Sequence, residues 1–458
     1  MKRRLPDTLI IVFIILIVFV ILTWLIPAGQ YARIEQDGRS IIDADSFEYV
    51  EANPQGISDL LTAPVKGFQS AAQIIAFILL VGGAFSVLNK TGAIDAGLRN
   101  VVAYSKQHPR SKKWILPVLI CLFSLAGATF GMSEEVLVFV LITIPLARAL
   151  NYDVLVGVAI PFLGAGAGFA GAFANPFTIG IAQGIAELPP FSGIGYRLMV
   201  WTAFTIVANI FILRYCFLLD SGKRKPYNTD IKLAAIKEEI TFNGRRKLIL
   251  VCFLIAIILL IIGVNEWGWY INEIAALFIA LALVSAIIGK LSGQLTIDAL
   301  IEGARDLMPA ALVVALSKGI LILATDGKII DTILYNLAGL SEGMPKYLSV
   351  QVMFFVQSAL NFFLPSGSGQ AALTMPIMAP LSDLVGLTRQ TAVLAFQFGD
   401  GISNLIIPTS GVTMGVLSIA KIPYEKWLKW AGPLILWFCL LAMLLLLPPA
   451  LLFYYGPA

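Results

Sequence analysis

The sequence predicts an all-α polytopic membrane protein: about nine transmembrane helices plus two re-entrant helical hairpins, arranged as two inverted repeats. Three observations carry this. Of 458 residues, 58% are hydrophobic and 13% charged, with mean hydropathy +0.86, whereas a soluble globular chain is about a quarter charged. Apolar runs of bilayer-spanning length recur along the whole chain. Two of the longest are split by small polar residues, as in "LPSGSGQAALTMPIMAP" (364–380).

A helical span needs about 20 apolar residues. In chain order the full-length candidates are 9–27, 67–88, 153–186 (interrupted), 195–219, 247–264, 270–289, 305–325, 390–419 (interrupted) and 427–452. The apolar part of "MKRRLPDTLIIVFIILIVFVILTW" exceeds the core of a secretory leader, so it reads as a first span. Segments 114–149 and 347–385 each divide into halves too short to cross comfortably, and each reads as a hairpin entering and leaving by one side.

Basic residues orient the chain. Lys2, Arg3 and Arg4 place the N-terminus in the cytoplasm. The acidic segment 28–66 lies outside, and the basic segments 89–113 and 220–247 lie inside. The C-terminus then lies outside.

The hairpins match each other. "ATFGMSEEVLVFVLITIPL" (128–146) aligns with "FFLPSGSGQAALTMPIMAPL" (362–381): Gly131, Ser133 and Pro145 face Ser366, Ser368 and Pro380. Downstream, "ANPFTIG" faces "IIPTSGV", Pro176 opposite Pro408. Residues 1–219 form the first repeat, 270–458 the second, and 220–269 a cytoplasmic linker with one extra span that inverts it. Inverted repeats with discontinuous helices are a transporter signature.

Irregular backbone survives at membrane depth only where protein or a water-filled cavity covers it. The two hairpin tips and two broken helices are therefore expected to meet around one polar site. Ser366 and Ser368 can cap the returning helix. Gly367 and Gly369 permit a tight turn and close approach of a ligand to backbone N–H groups. A helix start of this kind suits an anionic group such as a carboxylate. Pro408 can open the second half-helix, with Thr409 and Ser410 beside it, and Asn175 and Thr178 hold the equivalent place in the first repeat. Asn175 and Asn404 can each donate and accept hydrogen bonds.

Ionisable residues inside a bilayer mark functional sites by default. Here they are Glu134 and Glu135 at the first tip beside Ser133, Asp400 next to the second break, and Lys318 deep in 305–325. Asp400, with Glu134 or Glu135, is expected to attract a cationic group of the substrate, and Lys318 and Asp400 are candidates for charge pairing or ion coupling. The structural alternative is a buried pair between Lys318 and one of the acids. Because the acids outnumber the lysine, a cation from substrate, sodium or protons is expected to make up the balance.

Other patterns carry less. Gly166-x-Gly168-x-x-Gly171 has the dinucleotide spacing but sits mid-span, where small residues serve helix packing. His108 lies in a basic loop, and Cys121, Cys216, Cys252 and Cys439 show no CxxC spacing, so neither a metal centre nor a nucleophile–histidine pair is expected. The basic runs beside spans read as topology and anionic-lipid contacts, not as a nucleic-acid surface.

"TFGMSEEVLVF", "LPSGSGQAALTMPIMAPLSDLVG" and "FQFGDGISNLIIPTSG" resemble the YfcC family of bacterial inner-membrane carriers over nearly the whole chain. That family is grouped with basic amino-acid antiporters and anaerobic C4-dicarboxylate carriers of the ion-transporter superfamily. The resemblance implies a homodimer in which a scaffold (1–88, 195–219, 247–289, 427–458) supports an elevator-type transport domain (114–186, 305–419). Some sodium-coupled dicarboxylate relatives carry Ser-Asn-Thr at both tips. Here Gly131-Met132-Ser133-Glu134 and Ser366-Gly367-Ser368-Gly369 stand instead. The expected function is secondary transport of a small molecule across the bilayer: a basic amino acid by exchange, or alternatively a carboxylate with sodium or protons. No cofactor is expected beyond a coupling ion.

Overall fold

The structure, a computed structural model, describes residues 8–36, 39–43, 45–94, 96–97, 100, 109–129, 131–227, 242–269, 271–339, 344–452 and 455. The N-terminal basic cluster, His108 and linker residues 228–241 lie outside them. The described residues hold 17 α-helices.

Helix α1 (Thr8–Leu25) buries Val12, Leu16 and Phe19 and exposes Ile10, Ile14 and Ile21. It is apolar on every side, as a helix with one face on protein and one on lipid must be. The stretch after it departs from the all-α expectation. β1 (Gly29–Gln30) pairs antiparallel with β4 (Glu48–Tyr49), and β2 (Arg33–Gln36) with β3 (Arg39–Ile42), Arg33 opposite Ile42. This segment is polar enough to lie outside hydrocarbon, where open sheet edges are tolerated.

The expected span at 67–88 starts later. α2 (Ile57–Ser70) is separate, closed at its start by Asp59 accepting the Gly56 N–H at 2.8 Å, and α3 (Ala72–Lys90) follows a break at Ala71. Gly67 is drawn against the next group instead: a Cβ there would lie 2.1 Å from the Ala315 carbonyl.

The first hairpin is α4 (Pro109–Thr129) and α5 (Val136–Ala149). The first broken helix is α6 (Val154–Ala170), a π-turn at Pro176–Gly180, and α7 (Ile181–Ile185). Then come α8 (Ile194–Asp220), α9 (Gly244–Trp267) and α10 (Ile271–Gly289). α11 (Gly293–Asp326) runs 34 residues, well beyond the expected 305–325, because the Ser292 side chain caps a polar first third. α12 (Ile330–Ala338) leads into the second hairpin, α13 (Lys346–Phe363) and α14 (Gly367–Leu384). The second broken helix is α15 (Arg389–Ser403) and α16 (Gly411–Ile419), followed by α17 (Tyr424–Leu451). Among the described residues α3, α8, α10, α11 and α17 are long and apolar enough to cross a bilayer by length and composition.

Packing sorts these helices into two groups. α1, α2 and α3 lie on α11, and α10 joins α3 to α9. In the other group α6 packs on α4, α5, α8 and α15, and α17 on α13, α15 and α8. α16 bridges the groups, touching α11 and α5. The grouping differs from the scaffold and transport boundaries implied by resemblance: α8 and α17 side with the hairpins, and α11 with α2 and α3. Glycines set the closest approaches. A Cβ on Gly168 would lie 1.7 Å from the Ser124 carbonyl, and one on Gly303 2.3 Å from that of Gly82. The Gly166–Gly171 stretch is thus a packing face, not a phosphate loop.

Candidate functional site

A cavity of about 230 Å³ lies where the two groups meet. Its walls come from both hairpin tips, both breaks and the middle of α11. Each break is possible because its freed backbone groups find partners. In the first, the Asn175 carboxamide oxygen accepts the Phe177 N–H at 2.9 Å, and Gln397 donates to the Phe169 carbonyl at 2.6 Å. In the second, Asn361 donates to the Asp400 carbonyl (3.1 Å), Trp427 to that of Leu405 (2.9 Å) and Tyr424 to that of Ile406 (2.5 Å), while the Thr413 hydroxyl donates to that of Asn404. Side chains thus supply donors to the Phe169, Asn404, Leu405 and Ile406 carbonyls and add a second one to that of Asp400, which keeps the Asn404 N–H at 3.2 Å, as depth in a membrane requires. The half-helix opens at Gly411 with Ser410 as its cap, not at Pro408; in the first repeat Pro176 does stand in the first turn, capped by Asn175.

The second hairpin tip answers to its serines. Ser366 is the N-cap of α14, its hydroxyl accepting the Gly369 N–H at 3.3 Å. Gln370 donates to the Ser366 carbonyl at 2.7 Å. That uses the N–H of Gly369, so Gly367 and Ser368 are the residues whose N–H groups have no partner within their own helix. At the first tip Gly131 takes φ +71°, the left-handed turn that favours glycine. Glu135 is buried and folds back to accept the Ser133 N–H at 3.1 Å, while Glu134 is half-buried.

Of the residues expected from sequence, Ser133, Glu134, Glu135, Thr178, Lys318, Ser366, Gly367, Ser368, Asn404, Thr409 and Ser410 line the cavity. Asn175, Gly369 and Asp400 do not. Asn175 is fully buried beneath Gly131, whose missing Cβ would lie 2.7 Å from its amide nitrogen. Gly369 borders a second cavity on the other side of the hairpin, with Arg33, Lys328 and Asp331. Asp400 is fully buried behind Gly367 and is held by Asn404, whose amide donates to its Oδ1 at 2.7 Å. Lys318 and Asp400 form no ion pair, contrary to the pairing considered from sequence. The described ion pairs lie elsewhere, such as Arg33–Asp331 at 2.9 Å. The reason is positional: α11 faces Asp400 across the cavity and the hairpin tip.

The sequence reading missed the aromatic walls, Phe162, Phe169, Phe177 and Trp269. In an apolar chain such residues carry no signal until the backbone folds them inward. It also passed over Arg197, a charge within a span, which is fully buried and donates to Gln390 at 3.3 Å away from the cavity. Among the described residues no group of three or more His, Cys, Asp or Glu side chains could hold a metal ion.

A cavity that gathers the turns of both hairpins and both helix breaks, with acids and a lysine among aromatic side chains, is the kind of site a membrane transporter carries. The family model for the C4-dicarboxylate anaerobic carrier DcuC matches residues 5–449. The chain belongs to that family, whose members are carriers, not enzymes. It is 35% identical to an Escherichia coli (strain K12) protein provisionally named basic amino acid antiporter YfcC, across 93% of each chain. It is 30% identical to an uncharacterised protein of Haemophilus influenzae, across 94% of each. Among solved structures it aligns with Neisseria gonorrhoeae MtrF, described as an antimetabolite efflux pump (TM-score 0.44, 16% identity, 100% of this chain and 98% of that one). It also aligns with the Alcanivorax borkumensis YdaH transporter (TM-score 0.45, 14% identity, 99% and 100%).

Proposed function

We propose that this chain is a secondary transporter of amino acids, basic ones first, working by exchange. The observation that carries the reading is the pairing of opposite chemistries across one cavity: the Glu134 and Glu135 carboxyls at one hairpin tip and the Gly367 and Ser368 N–H groups at the other. An α-carboxylate suits the capped start of α14, and a guanidinium or ammonium suits the glutamates. The stem between them would lie on Phe169 and Phe177. Thr178, Asn404, Thr409 and Ser410 offer polar contacts to the α-amino group. Exchange follows if an empty site with uncompensated acids reorients slowly. The name of the Escherichia coli relative supports the same substrate class.

The helix grouping supports an elevator in which the hairpin body, α4–α8 and α13–α17, moves against α1–α3 and α9–α11, with about nine crossings in all. Such a carrier would sit as a homodimer in the bacterial inner membrane, N-terminus in the cytoplasm and C-terminus outside.

A second reading, a sodium- or proton-coupled carboxylate carrier, is favoured by Lys318. It lines the cavity without an ion-pair partner among the described residues, and the family description names C4-dicarboxylates. Proteoliposomes separate the two. Labelled arginine should enter only vesicles preloaded with ornithine. Equal entry into empty vesicles refutes exchange, and no entry with either loading, together with succinate uptake, establishes the carboxylate carrier.

A further inference from the structure

Among the described residues around the cavity, Asp400 is a buried acid that the binding site does not use. Its side chain is wholly buried; Oδ1 accepts from Asn404 at 2.7 Å, and Oδ2 has no hydrogen-bond partner among the described residues. Oδ2 lies under the second hairpin tip. A Cβ on Gly367 would stand 2.9 Å from it and 2.5 Å from the Thr178 methyl group. Gly367 lines the cavity and Asp400 does not, so the tip acts as a cover over the carboxyl.

Among the described residues no cation pairs with Asp400. α13 presents Asn361, whose amide reaches the Asp400 carbonyl at 3.1 Å and the Ser403 hydroxyl at 2.7 Å. α6 presents Phe169 and Ala170 beside Gly367 and Gly401, and the π-turn presents Thr178. Glu134, Glu135 and Lys318 line the cavity, which Gly367 borders and Asp400 does not. A carboxylate left charged and unpaired in such a place costs several kcal/mol.

We infer that Asp400 is a proton-binding site whose occupancy is linked to closure of the 364–370 hairpin tip. A protonated Asp400 lets Gly367 settle over it; loss of the proton lifts the tip and opens the carboxyl to water. The balance is simple: one proton moves between Oδ2 and solvent, and no other bond changes. This deepens the transport reading by naming protons as the linked ion, but its test needs no substrate.

The test places a cysteine at Ser403, which is buried, does not line the cavity and lies beside Asp400, its hydroxyl accepting from Asn361 at 2.7 Å, in a chain whose four native cysteines are replaced by serine or alanine. Maleimide labelling of Ser403→Cys is followed from pH 5.5 to 8.5 in proteoliposomes, in sodium and in choline buffer, with and without Asp400→Asn. The Asn variant keeps the partner of Asn404 and stands for the protonated acid. It also supplies the thiol's own pH response for correction. Linkage of one proton to one opening step allows the corrected labelling to rise by up to about tenfold per pH unit between the pKa of the opened carboxyl and that of the covered one, levelling off outside that window, and the rise should vanish in Asp400→Asn. An identical pH response in both chains overturns the proposal. So does protection by sodium at constant pH, which assigns Asp400 to a metal cation. If Asp400→Asn does not fold, Gly367→Ala replaces it: the added methyl should hold the tip open, with strong labelling at every pH, and full acid protection there refutes the inference. Loss of arginine exchange with the labelling result intact would instead remove only the substrate assignment.

Discussion

Replacing Gly168 by alanine tests the packing that builds the first hairpin. The new Cβ would lie 1.7 Å from the Ser124 carbonyl oxygen and 2.8 Å from the Ser124 Cα, and all the atoms it meets are backbone. Cβ contacts shorter than 3.0 Å essentially do not occur, so α4 must retreat from α6 by about 1.3 Å. A flexible side chain could swing away, but a helix backbone cannot. Overpacking of this kind costs about 1–3 kcal/mol, and the rigid neighbour puts this site at the upper end. Gly195, on α8, is the control: nothing lies within 4 Å of its Cβ position. Alanine there should stabilise by about 0.5–1 kcal/mol, the usual helix preference. Both variants would be heated in one detergent and the surviving monodisperse fraction read by size-exclusion fluorescence. The midpoint should fall for Gly168→Ala and hold or rise for Gly195→Ala. A Gly168→Ala midpoint at or above the parent refutes the close approach of α4 and α6.

Glu134→Gln should weaken arginine about 10- to 150-fold in KM, the equivalent of a charge-assisted hydrogen bond of about 1.5–3 kcal/mol, and leave competition by a neutral amino acid unchanged; equal losses for both would refute a side-chain role. Ser366→Ala removes the cap of α14 at about 1 kcal/mol, so uptake KM should rise roughly fivefold for every carboxylate-bearing substrate, with Ser366→Thr restoring it. Asp153→Ala should lower the thermal midpoint strongly. Asp153 caps α6 and accepts from Tyr215 at 2.5 Å and from the Tyr227 N–H at 2.8 Å, and stranding buried donors costs about 1–3 kcal/mol each. An Asp153→Ala midpoint equal to the parent's would show that these bonds are not formed in the membrane.

The sequence by itself determined the class and the parts list. Apolar run length against bilayer thickness marks the spans, because hydrocarbon tolerates no other regular backbone than a closed one. The polar breaks at 131–135, 175–178, 366–369 and 400–410 mark where the helices are interrupted, since freed backbone groups need partners there. Residues at those breaks lie in or beside one cavity for this reason. Tertiary structure decided what local pattern cannot hold. Whether an acid faces a cavity depends on partners brought together by the fold: Glu134 lines it, and Asp400 is shut behind Gly367. The aromatic walls were invisible because Phe169 and Trp269 look like any other apolar residue in a span. The grouping of α8 and α17 with the hairpins comes from side-chain volumes meeting across helices: Gly171 lets Trp201 of α8 approach, and Trp427 and Phe438 of α17 pack on Phe162 and Phe204. Pairing Lys318 with an acid looked natural from charge alone, but distance, fixed by α11 lying across the cavity, kept them apart.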